Sequence, residues 1–155
     1  MRLDLRKISF INERAIPWII WSVAGCYYFF EIMLRILPGT MAHHMMETFQ
    51  ITATQFGMFT AFYYWSYTLM QIPAGLIVDR YSIRKTLFFA CLMCIFGFVM
   101  IHYTTNINIA ELGRFTIGFG SSFAYVAALK VASIWLPPKN FGMASCIVDS
   151  LGMFG

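Results

Sequence analysis

The sequence predicts an all-α integral membrane protein, and three observations lead to that fold class. Of its 155 residues, 59% are hydrophobic and only 12% are charged, which is about half the charged share of an ordinary soluble domain. The apolar residues gather in runs close to the ~20 residues that a helix needs to cross a bilayer. The basic residues stand in short clusters at the ends of those runs. This composition excludes a disordered chain and argues against a soluble enzyme.

The first two predicted spans cover residues 17–37 and 56–78. We expect Pro17 in the first turn of its helix, because the N–H that proline lacks has no partner in a first turn anyway. Before the second span stand Thr52 and Gln55. A threonine followed three residues later by glutamine has the spacing of a capping box, which marks a helix start.

The third and fourth predicted spans cover residues 86–103 and 109–135. A proline pair at 137–138 ends the fourth, because proline cannot continue a helix. A fifth helical segment, residues 141–155, is too short to cross ~30 Å at 1.5 Å per residue. The chain from 1 to 155 is therefore expected to hold four spans and part of a fifth.

The distribution of Lys and Arg predicts the orientation of these spans. Eight cations fall on one predicted side: Arg2, Arg6, Lys7, Arg14, Arg80, Arg84, Lys85 and Lys139. The loops on the other side, 38–53 and 104–108, hold none. Because cytoplasmic loops are enriched in Lys and Arg, we expect a multi-pass protein of the plasma (inner) membrane with a cytoplasmic N-terminus. The pI near 9.0 then reflects topology, and no nucleic-acid partner is predicted.

Three motifs resemble those of the major facilitator superfamily. The sequence GLIVDRYSIRKTL at 75–87 resembles the family signature G-x-L-a-D-R-x-G-r-[RK]-x-x-L, which lies between the second and third helices. The departures from it are Ile77, Ser82 and Ile83. RFTIGFG at 114–120 is similar to the fourth-helix pattern R-x-x-x-G-x-G, and WLP at 135–137 is similar to the junction of the fourth and fifth helices. The three matches occur in the family's order and cover nearly the whole chain.

The resemblance implies a secondary transporter of two six-helix halves, each an inverted pair of three-helix repeats, with substrate bound between the halves. The chain would then be an incomplete N-terminal half, and the C-terminal half would be its missing partner. The resemblance also implies a gating role for the cytoplasmic turn, carried by Gly75, Asp79, Arg80, Arg84 and Lys85. No cofactor is implied.

Two residues of that turn carry expectations of their own. We expect Gly75 to allow close approach of a neighbouring helix. Asp79 stands at the C-terminal end of its helix, where the dipole disfavours a negative charge. It therefore needs a positive partner, such as Arg80, Arg84 or the N-terminus of another helix.

Glu31 and Arg35 are the leading candidates for a substrate or ion site. They are four residues apart on the first span and so share a helix face. Charges within a span are costly and usually mark an ion or substrate path. Arg35 could hold an organic anion through its planar guanidinium, and Glu31 could neutralise it or carry a coupling proton. The alternative is a static ion pair that only eases insertion. We expect Tyr27, one turn earlier, to help hold the Glu31 carboxylate.

Further polar residues within the spans extend the predicted pathway. Tyr64, Tyr67 and Gln71 follow one stripe of the second span, and such stripes usually face other helices or water. Arg114 on the fourth span is either part of the pathway or, with Glu111, a pair reaching the outer interface. For Lys130 we expect a long side chain that reaches the cytoplasmic interface.

The function predicted from these residues is transport of a small solute, most consistent with an organic anion, in symport with a proton. One alternative is a self-contained four-helix, dimeric, proton-coupled exporter of the small multidrug type that uses Glu31. Another is a membrane interaction protein that does not transport. No constellation of catalytic residues favours an enzyme. Cys91 and Cys94 lie in an apolar helix without a second ligand pair, so no metal site is predicted.

Overall fold

The computed structural model describes residues 5–153, with side chains described for 16–150, 152 and 153. The described chain is helical throughout its regular structure, and the all-α fold is confirmed. The six helices are α1 (Leu5–Thr40), α2 (Ala42–Phe49), α3 (Ala53–Arg80), α4 (Ile83–Tyr103), α5 (Ile107–Trp135) and α6 (Pro138–Met153).

Three segments of the described chain are long and apolar enough to cross a membrane: Ile16–Thr40, Ile83–Tyr103 and Ile107–Trp135. The helix α3 has 28 residues, which is also a sufficient length at 1.5 Å per residue. It carries more polar side chains than the other three, so its crossing of the bilayer stays a prediction.

The first helix differs from the sequence prediction. It begins at Leu5, and both Pro17 and Pro38 lie inside it. The expectation that Pro17 occupies a first turn is therefore wrong. The predicted outer loop 38–53 contains the short helix α2.

The capping box that begins α3 is confirmed. Gln55 donates its backbone N–H to Thr52 Oγ1 at 3.4 Å, and Thr52 donates its N–H to Gln55 Oε1 at 2.9 Å. Together the two bonds satisfy donors that a helix start leaves without intrahelical partners. The predicted fifth segment forms α6, while residues 154 and 155 lie outside the described part. Arg2 and the side chains of Arg6, Lys7 and Arg14 lie outside it too.

The helix α5 is the centre of the bundle and packs against α1, α3, α4 and α6. Small residues make this possible, because they let helix backbones approach closely. Gly97 of α4 faces Gly113 of α5, and a Cβ on Gly97 would lie 2.5 Å from the Gly113 carbonyl oxygen. A Cβ on Gly118 would overlap the backbone carbonyl of Tyr63. The two glycines of the G-x-G therefore allow close approach of two helices to α5: Gly118 faces α3, and Gly120 faces Ala90 and Cys94 of α4.

Candidate functional site

A buried ionic cluster lies between α1, α3 and α5. Glu31 is fully buried, and its Oε1 accepts a bond from Arg35 Nη2 at 2.9 Å and another from the Tyr63 hydroxyl. Arg35 also approaches the Tyr63 oxygen with its Nε, at 3.5 Å. The same tyrosine oxygen therefore accepts from the guanidinium and donates to the carboxylate. We call Glu31, Arg35, Tyr63, Tyr67 and Arg114 the central cluster.

Aromatic rings surround the cations of this cluster. The Arg35 guanidinium carbon lies 5.2 Å from the centre of the Tyr67 ring, and the Tyr63 and Tyr67 rings stack with centroids 6.0 Å apart. The guanidinium carbon of Arg114 lies 4.9 Å from the centre of the Tyr63 ring. Cations at these distances are attracted by the negative faces of the rings.

Arg114 is buried and makes its hydrogen bonds to the backbone of α1. It is 2% exposed, and it donates to the carbonyl oxygens of Leu34 at 2.9 Å and of Arg35 at 3.3 Å. Within the described chain no carboxylate forms an ion pair with it. The alternative in which Arg114 and Glu111 reach the outer interface as a pair is therefore wrong.

The cluster is electrostatically unbalanced and incompletely bonded. Glu31, Arg35 and Arg114 together carry a net charge of +1 when all are ionised. Glu31 Oε2 and Arg114 Nε are buried and have no hydrogen-bond partner among the described residues. Because an unpartnered buried polar group is costly, the cluster has capacity for a further hydrogen-bonding group. Arg35 keeps 22% of its side chain exposed and is the accessible cation of the two.

The structure brings only some of the predicted pathway residues together. Glu31, Arg35, Tyr67 and Arg114 meet in the central cluster. Tyr64 lies outside it and is half exposed. Gln71 lies two turns of α3 beyond Tyr63 and forms no hydrogen bond to the cluster among the described residues, and its Oε1 is buried without a described partner.

Tyr63 is the member of the cluster that the sequence analysis missed. The polar stripe drew attention to Tyr64 and Tyr67, whereas the buried residues of α3 are Phe59, Tyr63, Ser66, Ala74 and Val78. Their spacings of three, four and eight residues mark one helix face. Hydrophobicity hardly varies around α3, so the sequence carried no periodic signal that could single out Tyr63. The expectation that Tyr27 holds Glu31 is wrong, because its hydroxyl donates instead to the Gly120 carbonyl oxygen at 3.3 Å.

At the other end of the bundle, Asp79 pairs with Lys130. The Lys130 ammonium lies 2.8 Å from Asp79 Oδ1 and donates to the Val78 carbonyl oxygen at 2.7 Å. Asp79 thus has the positive partner that its position required, but this partner is Lys130, and neither Arg80 nor Arg84 forms an ion pair with it within the described chain. A cation at the C-terminal end of α3 donates to a terminal carbonyl and is attracted by the negative end of the helix dipole.

The rest of the turn at 75–85 is open. Arg80, Arg84 and Lys85 are exposed, and a Cβ on Gly75 would meet nothing within 4 Å. The expected close approach at Gly75 is therefore not made by any described helix. Ser82 begins α4 with φ −63° and ψ 125°, an extended conformation that needs no glycine.

The described residues bring no three His, Cys, Asp or Glu side chains into a group that could hold a metal ion. Cys94 is buried against α5, where its sulfur lies 3.8 Å from the Ile117 carbonyl oxygen. Cys91 is partly buried in the same helix.

The described chain is thus a helical bundle with helices long and apolar enough to cross a membrane and with a buried cationic residue at its centre. Residues 21–155 match the sequence profile of the Major Facilitator Superfamily. Because that match covers most of the chain, the chain belongs to this superfamily. No solved structure gave a significant match.

Three curated relatives extend this result. The uncharacterized transporter YybO of Bacillus subtilis (strain 168) is 29% identical, over 88% of this chain and 32% of the relative. The probable galactarate/D-glucarate transporter GarP of Escherichia coli (strain K12) is 32% identical, over 98% of this chain and 35% of the relative. The probable sulfoacetate transporter SauU of Cupriavidus necator is 28% identical, over 88% and 32%. The chain thus spans about a third of the length of these relatives.

Proposed function

We propose that this chain forms the first helices of a secondary transporter that moves a small organic anion across the plasma (inner) membrane by alternating access. The observation that carries the proposal is the central cluster, where the buried Arg114 and the partly exposed Arg35 are accompanied by a single carboxylate, Glu31. An excess positive charge in a low-dielectric site is stabilised by an incoming anion. Two of the relatives are named for anionic compounds, galactarate or D-glucarate and sulfoacetate, which supports the same substrate class.

In the proposed cycle, Arg35 exchanges one carboxylate for another. In the empty site it binds Glu31, as its 2.9 Å contact supports. An arriving substrate carboxylate takes the guanidinium, and Glu31 is then left with Tyr63. A proton on the unpartnered Oε2 would remove the charge of Glu31, so that substrate and proton would move together as in symport. The C-terminal half of the transporter would supply the opposite wall of the site.

Family membership argues against the self-contained exporter of the small multidrug type. That alternative rested on the four predicted spans and on Glu31, and a site for cationic compounds conflicts with Arg35 one turn away. A membrane protein that does not transport remains the competing outcome of the experiment below.

Arg35→Lys and Arg35→Ala test the proposal in the full-length transporter. Lysine keeps the charge but loses the planar, two-pronged geometry, so we expect D-glucarate uptake into proteoliposomes to show a KM raised about tenfold, or ~1.4 kcal/mol. Alanine leaves Glu31 with one donor fewer and should reduce uptake further. The matched control is Lys139→Arg, a charge-conserving change at an exposed residue outside both the central cluster and the turn at 75–87. Unchanged uptake in both Arg35 variants would make the Glu31–Arg35 pair purely structural.

A further inference from the structure

The proline at position 38 leaves a gap in the hydrogen bonding of α1. In an α-helix the carbonyl of residue i accepts from the N–H of residue i+4. Pro38 lies inside α1 and has no N–H, so the Leu34 carbonyl has no donor in its own helix. Leu34 is buried, and water is not a ready substitute for the missing donor at a buried site.

Arg114 of α5 fills this gap. Its Nη1 donates to the Leu34 oxygen at 2.9 Å, and its Nη2 donates to the adjacent Arg35 oxygen at 3.3 Å. The two carbonyls belong to successive residues, and the planar guanidinium spans both of them. The donor that Pro38 removes from α1 is thus returned by a side chain 80 positions further along the chain.

The bonds of Arg114 end on the turn of α1 that carries the proposed anion-binding guanidinium. One of its acceptors is the backbone oxygen of Arg35 itself. Arg114 packs over the Phe59 and Tyr63 rings. Gly118, one turn later on α5, lies directly against the backbone of Tyr63. The same stretch of α5 therefore fixes both Arg35 and its hydrogen-bonding partner Tyr63.

We propose that Arg114 is a positioning residue and not a ligand of the substrate: it replaces the N–H that Pro38 lacks and so holds the turn of α1 that aims Arg35. We call the two hydrogen bonds from Arg114 to the Leu34 and Arg35 carbonyl oxygens the clasp. The expected effect on transport rests on the proposed function, whereas the clasp itself does not. Arg114 also lines a cavity of about 260 Å³ beneath α2. Direct binding of an anion from that cavity is the competing role.

A double-mutant cycle between positions 38 and 114 distinguishes the two roles in the full-length transporter. Pro38→Ala returns an N–H to the Leu34 carbonyl, and Arg114→Met removes all donors while keeping an unbranched apolar stem. We expect R114M to lower the thermal midpoint in detergent by about 4 °C and to raise the KM for D-glucarate uptake about tenfold with a smaller change in maximal rate. Measured against P38A alone, the P38A/R114M pair should lose less than half as much on both readouts.

Each outcome decides the proposal. Equal thermal losses from R114M with and without P38A would overturn the clasp, and this readout needs no substrate. A thermal rescue without a rescue of KM would make Arg114 a direct ligand. If R114M fails to fold, Arg114→Lys takes its place, because an ammonium can reach one carbonyl but cannot span both. If Arg35→Gln leaves the KM unchanged while the thermal coupling persists, the anion site fails and the clasp stands.

Discussion

Tyr63 is the residue on which the central cluster depends most, because one hydroxyl serves both charged partners on α1. It donates to Glu31 and lies within 3.5 Å of Arg35 Nε. Its ring meanwhile stacks with Tyr67 and lies beneath Arg114. A phenylalanine would keep the ring contacts and lose only the hydroxyl.

We therefore predict that Tyr63→Phe destabilises the protein by about 1–3 kcal/mol, the cost of leaving a buried carboxylate without one of its donors. The matched control is Tyr64→Phe, because that neighbouring tyrosine is half exposed and should tolerate the change within about 0.5 kcal/mol. Thermal unfolding of the two purified variants is the measurement. Equal losses of thermal stability would mean that the buried Tyr63 hydroxyl stabilises the protein no more than the half-exposed Tyr64 hydroxyl does.

At the scale of elements, the contact between α3 and α5 depends on a missing side chain. A Cβ at Gly118 would overlap the Tyr63 backbone carbonyl. Backbone atoms cannot rotate away as a flexible side chain does, so the helices themselves would have to separate.

Gly118→Ala should therefore cost about 1–3 kcal/mol, as overpacking of a tight interface does. Gly57→Ala is the control, because a Cβ at Gly57 in α3 meets nothing within 4 Å. That change should be neutral or slightly stabilising, since alanine favours the helix. The comparison requires only the thermal midpoints of both variants, and a harmless Gly118→Ala would contradict the close approach.

The pairing of Lys130 with the end of α3 has two parts that mutation can separate. Asp79→Asn removes only the ion pair, and Asp79 is largely exposed, which weakens such a pair. Lys130→Met removes the ion pair and also the bond to the Val78 carbonyl.

We predict a larger loss of thermal stability from Lys130→Met than from Asp79→Asn. Lys85→Met serves as the control, since Lys85 is exposed in the same turn region. Equal losses from the Asp79 and Lys130 variants would assign the whole effect to the ion pair and none to the helix cap.

At the scale of the whole molecule, the distribution of basic residues predicts how the bundle sits in the bilayer. All eight cations outside the apolar runs fall on one predicted side. The structure places Arg80 at the end of α3, Arg84 near the start of α4 and Lys139 near the start of α6, so these clusters lie at helix ends as the rule requires.

Reporter fusions at positions 12, 81 and 139 should therefore indicate the cytoplasm, and fusions at 44 and 106 the opposite side. The paired use of an alkaline phosphatase and a fluorescent reporter at each site gives opposite signals and controls for expression. An outer signal at position 81 would reverse the orientation of α3 and α4.

The sequence by itself determined the helical fold, the family and the Glu31–Arg35 pair. Each of these follows from local information: hydropathy over ~20 residues, motifs of about a dozen positions, or two residues four apart on one helix face. The capping box at Thr52 belongs to the same group, because its two partners are three residues apart.

Only the tertiary structure decided which partners the buried charges have. Glu31 and Tyr63 are 32 positions apart, Lys130 and Asp79 are 51 apart, and Arg114 and Leu34 are 80 apart. Sequence periodicity assigns a residue to a face of its own helix but not to a partner on another. That choice depends on how closely two helices approach, which here is set by the glycines of α5, and on how far each polar group must reach to find a partner where water is scarce.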